Sequence, residues 1–347
     1  MANLRVLRAG LSTTIQDVGR RGFQRFGVPT SGALDMASLH AANLLVGNAP
    51  DTAALEICYT GPRLILEAQS ARLACVGGGD ATIKLHAEAN DPAPRNLKTW
   101  ESICLRKGEI VDIGPITGSS ILYMAVEGGF DIAPVLGSRS TFERGGLGGL
   151  HGRALRLGDS IPLASAEAGD RRELRLPRQL LATPARIRIM AGPQAHYFAP
   201  DAISRLCDAP YTIGPDSNRM GMRLEGAEIA HSGGYDITSE AVAPGSIQIP
   251  GTRKPVVLLA DRQTTGGYPK IATIISADLA ALGRMPIGAT FGFELVTANE
   301  AHQARRLHLE SLAAMSAALA PVAWQADEVS VNLFNSNLVS GVCYASI

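Results

Sequence analysis

Charged residues are scarce in this sequence and carry no net sign. Only 18% of the 347 residues are charged, and 32 acidic residues balance 32 basic ones. Because a neutral chain produces no overall field that attracts polyanions, we expect no nucleic-acid partner. No apolar run approaches the roughly 20 residues that span a bilayer, and no signal segment opens the chain. We therefore expect a cytoplasmic protein without a membrane partner.

The signatures of self-contained enzymes are also missing. The sequence has no Gly-xxxx-Gly-Lys-Ser/Thr phosphate loop, no Gly-x-Ser-x-Gly turn, no His-Glu-x-x-His and no Cys-x-x-Cys. These absences disfavour a lone ATPase, esterase or zinc enzyme, and no metal is expected. None of the five lysines lies between methionines, as a biotin-carrying lysine usually does. We therefore expect no cofactor on this chain alone, and any ATP or biotin chemistry must come from an assembly.

The cysteines do not form a disulfide or metal-binding pattern. They are odd in number, widely spaced and mostly set in apolar stretches, at positions 58, 75, 104, 207 and 343. This pattern indicates buried free thiols.

Glycine and proline are abundant, and they separate short apolar and β-branched runs. The chain has 37 glycines and 20 prolines, which is typical of sandwiches and barrels with many turns. Residues 186–190, 246–249 and 291–295 alternate in side-chain character, as half-buried strands do. Residues 256–260 and 121–125 are continuously apolar, as strands covered on both faces are. We predict a mainly β protein with few helices.

Two segments have helical patterns. The first begins at Asp35, a candidate N-cap, and stops at Gly47. The second follows Asn299, where apolar residues starting at Ala301 fall on one stripe. His308 lies in that stripe and is interpreted as a packed helix residue rather than a ligand.

The length of the chain exceeds that of most single cores, so two domains are expected. The clearest change in composition is a charged stretch, 169–177, that ends in proline. We predict an N-terminal subdomain at 1–169, a linker at 170–184, a C-terminal subdomain at 185–298, and a final helix and tail at 299–347.

The most distinctive polar segment follows the apolar strand at 258–260 and extends to residue 270. Gly266 and Gly267 permit positive φ and close backbone approach, so their amides could bind a carboxylate or a developing oxyanion. The alternative is that Asp261 and Arg262 pair on the surface while the glycines only form a hairpin turn. Because sites concentrate in polar loops at strand ends, we favour the functional interpretation.

Five side chains in and near this loop are candidates for handling an amide. Lys270 provides a movable cation, and Gln263 and Tyr268 provide neutral donors that suit an amide or ureido group. Glu240 is the candidate general acid or base, with a solvated strand-end carboxylate as the alternative. Gln248 follows on the next strand as a substrate-binding candidate.

A second polar loop, at 214–221, combines turn-forming residues with a guanidinium group. Arg219 is a candidate for binding a substrate carboxylate, and Asn218 is a candidate neighbour. Turn capping by Asp216 and Asn218 is an equally good explanation of this loop. A third loop, at 137–149, is rich in glycine and carries two arginines, which fits a lid or a partner contact.

These segments belong to a series of motifs that occur in a fixed order. The motifs are Thr-Ile-Gln-Asp-Val-Gly-Arg (14–20), Pro-Thr-Ser-Gly-Ala-Leu-Asp (29–35), Ala-Asn-Leu-Leu-Val-Gly-Asn (42–48), Gly-Gly-Phe-Asp (128–131), Leu-Gly-Ser-Arg-Ser-Thr (136–141), Ser-Asn-Arg-Met-Gly (217–221), Gln-Thr-Thr-Gly-Gly-Tyr-Pro-Lys (263–270) and the tail at 333–341. Over nearly its whole length the chain resembles the KipA-like family, also called allophanate hydrolase subunit 2 or the C subunit of 5-oxoprolinase, which has a biotin-dependent carboxyltransferase-like domain.

This resemblance implies a fold, partners and three possible activities. The fold would contain two cyclophilin-like β-barrel subdomains. The partners would be a KipI-like B subunit and a third, A subunit, in an assembly that opens 5-oxoproline to glutamate with ATP. One alternative is the carboxyltransferase component of a biotin-dependent, urea carboxylase-like enzyme. Another is a non-catalytic regulator that binds a KipI-like kinase inhibitor.

Overall fold

In the computed structural model, the described residues, 2–178, 181 and 183–322, form two β-rich halves with four α-helices. The prediction of a mainly β protein with few helices is confirmed. The predicted tail at 333–341 and Cys343 lie outside the described residues. No helix in the described ranges combines the length and the apolar character needed to cross a bilayer.

The N-terminal half contains two antiparallel sheets around one core. Their orders are β11-β1-β4-β9-β6-β7 and β2-β3-β10-β5-β8, and a bridge between Thr60 and Pro115 connects them at one corner. The strands are β1 (Asn3–Arg8), β2 (Ser12–Gln16), β3 (Ala54–Cys58), β4 (Arg63–Leu66), β5 (Ser70–Gly77), β6 (Asp80–His86), β7 (Arg95–Leu97), β8 (Ser102–Arg106), β9 (Ile110–Thr117), β10 (Ile121–Val126) and β11 (Ser160–Pro162).

Strand β10 shows why a continuous apolar run was needed in the sequence. Leu122 and Met124 face the core between the two sheets. Tyr123 and Ala125 face the opposite side, where they belong to a second apolar cluster with the first helix. Since successive side chains of a strand point to opposite faces, burial on both sides requires apolar residues at every position.

The C-terminal half is dominated by one eight-stranded sheet that nearly closes on itself. Its order is β21-β14-β15-β18-β17-β20-β13-β22, and its two edge strands are separated in the chain by Gly292 alone. Because the edges adjoin in the chain, the sheet has a barrel-like shape. The remaining strands are β12 (Leu174–Arg175), β13 (Ile187–Ala191), β14 (Tyr211–Ile213), β15 (Gly221–Gly226), β16 (Glu240–Ala241), β17 (Ser246–Gln248), β18 (Val256–Leu258), β19 (Thr265–Gly266), β20 (Lys270–Ile274), β21 (Thr290–Phe291), β22 (Phe293–Leu295) and β23 (Ala320–Pro321).

Both predicted helices are present, and two short helices were missed. The Asp35 side chain caps the first helix by accepting from the amides of Ala37 and Ser38, and Gly47 follows the helix with a φ of 69°, as the punctuation predicted. The last helix begins after Thr297, which forms a capping box with Glu300. The helices are α1 (Met36–Leu45), α2 (Ala202–Asp208), α3 (Leu279–Arg284) and α4 (Ala298–Ala314).

The predicted linker at 170–184 packs against the N-terminal half. Strand β12 pairs with β23, and Leu176 is buried. The buried Arg72 guanidinium donates to Glu173 and to the carbonyl oxygen of Arg171. Charged residues of this segment therefore form ion pairs with residues of the N-terminal half.

Candidate functional site

A β-bulge sets the direction of Lys270. Strands β17 and β20 pair so that Ile247 lies opposite Ala272 while Gln248 lies opposite Lys270, which makes Ile271 an extra residue. Bulges change the direction of a side chain and are frequent beside active sites. Residues directly opposite each other share a sheet face, so Lys270 and Gln248 lie together, 3% and 2% exposed.

Lys270 forms an ion pair with Glu240. Lys270 Nζ lies 2.6 Å from Glu240 Oε1, and the exposed fractions of the two side chains are 3% and 47%. Gln194 donates to the same Glu240 oxygen at 2.8 Å and accepts from the backbone amide of Lys270 at 3.3 Å. Within the described ranges, Nζ donates no hydrogen bond of good geometry. Ammonium N–H groups therefore remain available to a ligand that enters beside Glu240.

Two further glutamines extend this group. Gln263 Nε2 donates to Gln248 Oε1 at 3.2 Å, and Gln248 Nε2 lies 3.5 Å from the carbonyl oxygen of Tyr268. A Cβ added to Gly266 would lie 2.6 Å from Gln248 Nε2, so any other residue at this position would displace the Gln248 amide. We call Gln194, Glu240, Gln248, Gln263 and Lys270 the glutamine cluster.

The two loop glycines adopt ordinary backbone conformations. Neither Gly266 nor Gly267 has a positive φ, so the expectation that they use left-handed freedom is wrong. Gly266 pairs with Glu240 in the small β16–β19 ladder, and the carbonyl oxygen of Gly267 accepts from the amide of Ile237. Close packing, rather than a special turn, explains the glycine at 266.

Arg219 lies at the interface between the two halves. Its Nε donates to Asp261 Oδ2 at 2.8 Å, its Nη1 to Glu56, and its Nη2 to the carbonyl oxygen of Gly32 at 2.6 Å. Burial alone would lower the pKa of Arg219, but the carboxylates of Glu56 and Asp261 outweigh burial and raise it. The guanidinium is therefore a permanent cation that holds two protein carboxylates.

Other buried groups extend this interface. Arg284 Nη1, from the C-terminal half, pairs with Asp35 Oδ2 of the N-terminal half at 3.1 Å. The Tyr123 hydroxyl donates to Glu56 and accepts from the backbone amide of Asp35. Because the Arg219–Glu56 and Arg284–Asp35 pairs each join one half to the other, these charges fix the relative orientation of the halves. We call Asp35, Glu56, Tyr123, Arg219, Asp261 and Arg284 the interface network.

The nine predicted site residues divide between these two places. The cluster contains Lys270, Glu240, Gln248 and Gln263, and the adjoining segment contributes Gly266, Gly267 and the 43% exposed Tyr268. Arg219 and Asn218 lie at the interface instead. Asn218 is exposed, and its Oδ1 accepts from the amide of Met220 at 2.8 Å, which is the turn-capping contact that the sequence left open.

The segment 261–270 connects the two places. Asp261, at its start, is held by Arg219, and Lys270, at its end, is held by Glu240. Asp261 and Arg262 do not pair on the surface, because Arg262 is buried and donates to the carbonyl oxygens of Val242 and Leu259. Both ends of the segment are therefore anchored by charge.

The described cysteines are free thiols, as predicted, but only Cys75 is fully buried; Cys58, Cys104 and Cys207 are half-buried. Burial raises the pKa of Cys58 and of Cys75 to about 12, so both are neutral thiols at physiological pH. No group of three His, Cys, Asp or Glu side chains suited to a metal occurs in residues 2–178, 181 and 183–322.

We expect the pKa of Glu240 to lie below the ordinary glutamate value and to depend on Lys270. Contact with Lys270, then with Gln194, stabilises the ionised carboxylate. The pair stabilises the fold at pH values above the ordinary carboxyl range and is lost as pH falls through the lowered pKa. Carbon-detected NMR titration of Glu240 should show a low pKa in the wild type and a higher one in Lys270→Met.

The matched control is Lys254→Met, because exposed Lys254 pairs with Glu225 instead. It should leave the Glu240 pKa unchanged. An unchanged Glu240 pKa in Lys270→Met would contradict the prediction.

Sequence reasoning missed Gln194 and Glu56. Gln194 follows a Gly-Pro pair after strand β13, and a polar residue just beyond a strand end was the available signal. Glu56 lies within the apolar strand β3 with its side chain fully buried. An isolated acid in such a strand indicates a buried partner, but the sequence does not identify Arg219 as that partner.

Comparisons with known proteins agree with this architecture. The chain is 37% identical to the C subunit of 5-oxoprolinase from Escherichia coli over 303 residues, which are 87% of this chain and 94% of that protein. It is 31% identical to urea amidolyase of Saccharomyces cerevisiae, covering 82% of this chain but 16% of that protein. The crystal structure of Kluyveromyces lactis urea carboxylase superposes with a TM-score of 0.81 at 28% identity.

The extent of these matches differs. The superposition covers 94% of this chain and 30% of the urea carboxylase chain, so the chain spans a minor part of both urea-processing relatives. The family model for the carboxyltransferase domain, subdomain A and B, matches residues 26–295, which contain the whole glutamine cluster and the whole interface network. The chain therefore belongs to the carboxyltransferase domain family, subdomain A and B.

Proposed function

We propose that this chain is the C subunit of an ATP-dependent 5-oxoprolinase that acts with a KipI-like B subunit and a third, A subunit. The observation that carries the proposal is the glutamine cluster, in which a buried ammonium lies among three side-chain amides and opens to solvent beside Glu240. Support comes from the 5-oxoprolinase C subunits of Escherichia coli and Haemophilus influenzae, which are 37% and 35% identical to the chain.

The chemistry of the cluster suits a cyclic amide. Side-chain amides can donate to and accept from the ring amide without neutralising it. In ring opening, a water oxygen bonds to the carbonyl carbon, the bond from that carbon to the ring nitrogen breaks, and the nitrogen takes up a proton. The ammonium of Lys270 would stabilise negative charge on the carbonyl oxygen, and Glu240 would move the proton. ATP hydrolysis in the assembly would drive the reaction.

The other predicted residues receive supporting roles. Gln248, Gln263 and Tyr268 would orient the ring, and the close-packed backbone at Gly266 and Gly267 would keep the site narrow. Arg219 would act as a positioning residue, because it holds Asp261 at the start of the segment that ends at Lys270. Asn218 lies beside it on the interface loop.

The exposed side of the cluster explains why a partner is needed. Glu240 and Tyr268 are 47% and 43% exposed, whereas catalytic amide chemistry requires water to be excluded from the developing charge. A KipI-like subunit placed over these residues would complete the enclosure. The chain alone is therefore proposed to be inactive.

Reconstitution tests the proposal. The chain, purified with its KipI-like partner and the third subunit, is expected to release glutamate from 5-oxoproline only when ATP is present. The control omits each of the subunits in turn, and each omission should abolish release. If the complete assembly releases no glutamate in the presence of ATP, the proposal is wrong.

A second candidate is the carboxyltransferase component of a biotin-dependent, urea carboxylase-like enzyme. The TM-score of 0.81 to Kluyveromyces lactis urea carboxylase favours it. The same preparation, supplied with a biotinylated carrier, bicarbonate, ATP and urea, would then carboxylate urea. A non-catalytic regulator of a KipI-like kinase inhibitor would do neither, yet it would still bind that partner.

A further inference from the structure

A cavity of about 350 Å³ lies between the two halves, apart from the glutamine cluster. Cys58 of the N-terminal half and Met222 and Leu259 of the C-terminal half are among its walls. Its lining includes Leu11 and Ile287, which are 71% and 43% exposed. A mainly apolar cavity of this size between two subdomains is a typical small-molecule site.

Tyr59, in the wall of this cavity, has a strained backbone. Its φ is 57°, which a bulky residue adopts rarely and which clusters at ligand sites. The amide of Ile287, from the opposite half, donates to Tyr59 Oη at 3.0 Å. Burial raises the pKa of Tyr59, so its hydroxyl keeps its proton, and that proton has no acceptor in the described part of the chain. Tyr59 is thus a fixed donor.

The polar residues of the lining leave one cation without a carboxylate. Arg144 is exposed and makes no ion pair in the described ranges; its one hydrogen bond is a weak contact of 3.6 Å with the sulfur of Met220. Arg219, in contrast, is paired with two carboxylates. Glu143 also lines the cavity, and its Oε1 accepts from the amide of Ala154 at 2.8 Å.

We propose that this cavity binds a small organic monocarboxylate with an apolar body. The carboxylate would contact Arg144 and the Tyr59 hydroxyl, and the body would lie against Met222 and Leu259. The Arg144 guanidinium makes no ion pair in the described ranges and can bind one carboxylate, and apolar walls disfavour strongly hydrated polyanions. The site goes beyond the proposed amide opening, since Lys270 takes no part in it.

Calorimetry on the isolated full chain tests this site without any turnover assay. Phenylacetate is expected to bind at least about tenfold more tightly than the neutral phenylacetamide, which is the range of a charge-assisted hydrogen bond. Arg144→Gln should remove that preference. Arg156→Gln is the matched control, because Arg156 is also exposed in the N-terminal half but does not line the cavity.

Met220→Trp is a second test that acts by steric blocking, since an indole at this half-buried lining position would fill the cavity. It should abolish binding of phenylacetate, with folding checked by thermal melting. Arg144→Gln alters only an exposed side chain, so it remains decisive if Met220→Trp does not fold. No heat with phenylacetate, equal affinity for acid and amide, or full affinity in Arg144→Gln would each overturn the site. None of these results bears on glutamate release.

Discussion

Replacing Lys270 with methionine is expected to lower kcat of the reconstituted assembly by about 10²–10³-fold, the cost of removing one donor to a developing oxyanion. Methionine keeps the length and apolar stem of lysine but removes the ammonium. Loss of the ammonium leaves the Glu240 carboxylate without its partner, but this side chain is 47% exposed and already solvated. The fold should therefore lose little stability. Single-turnover measurement of glutamate release, with KM determined separately, checks the prediction.

The control for this experiment is Lys254→Met, which removes an exposed lysine paired with Glu225. That variant should keep full turnover. Both variants should co-elute with the partner subunits on gel filtration. If Lys270→Met turns over normally, the cluster is not the site of chemistry; if it fails to assemble, Lys270 belongs to the subunit contact instead.

Replacing Arg219 with methionine is expected to destabilise the chain by about 3–5 kcal/mol, because removal of one partner leaves buried carboxylates unpaired. The side chains of Glu56 and Asp261 are 0% and 8% exposed and share this guanidinium. Urea unfolding of the isolated chain measures the change. Since the pair with Glu56 joins the two halves, part of the loss should appear as a separate transition of one half.

Two variants sharpen the interpretation. Arg219→Met combined with Glu56→Gln should recover part of the lost stability, because an amide is cheaper to bury than an unpaired carboxylate. Arg205→Met is the exposed control: Arg205 lies 3.9 Å from Asp201 with both side chains more than half exposed, and its loss should cost less than about 1 kcal/mol. If Arg219→Met were as stable as the wild type, the two carboxylates would not be left buried and unpaired, which would contradict the prediction.

Local signals in the sequence predicted the elements that depend on neighbouring residues. Helix α1 followed from Asp35 and Gly47, and β10 from its unbroken apolar run, because capping and burial on two faces act within a few residues. The short helices α2 and α3 were not predicted. Seven and six residues are too few for a clear helical period, and such helices are stabilised by packing on the sheet.

The candidate site was predicted in part for a similar reason. The polar character of the segment 261–270 was visible in the sequence, but the partners that hold its two ends were not predicted. Asp261 is bound by Arg219, and Glu56 joins that contact from 163 positions away. Such long-range pairing depends on how the halves dock, which no local pattern encodes. The direction of Lys270 likewise depends on a bulge that the sequence does not reveal.

That bulge makes the position sensitive to strand register as well as to composition. Ile271 is the extra residue opposite Ile247 and Gln248. If the two strands paired regularly instead, Ile271 would lie opposite Gln248 and Lys270 opposite Ile249, and because strand side chains alternate, the lysine would face the other side of the sheet. Every chemical group of the site would still be encoded. A relative that carries all of these residues but pairs the two strands without the bulge would therefore have the residues of the site without its geometry.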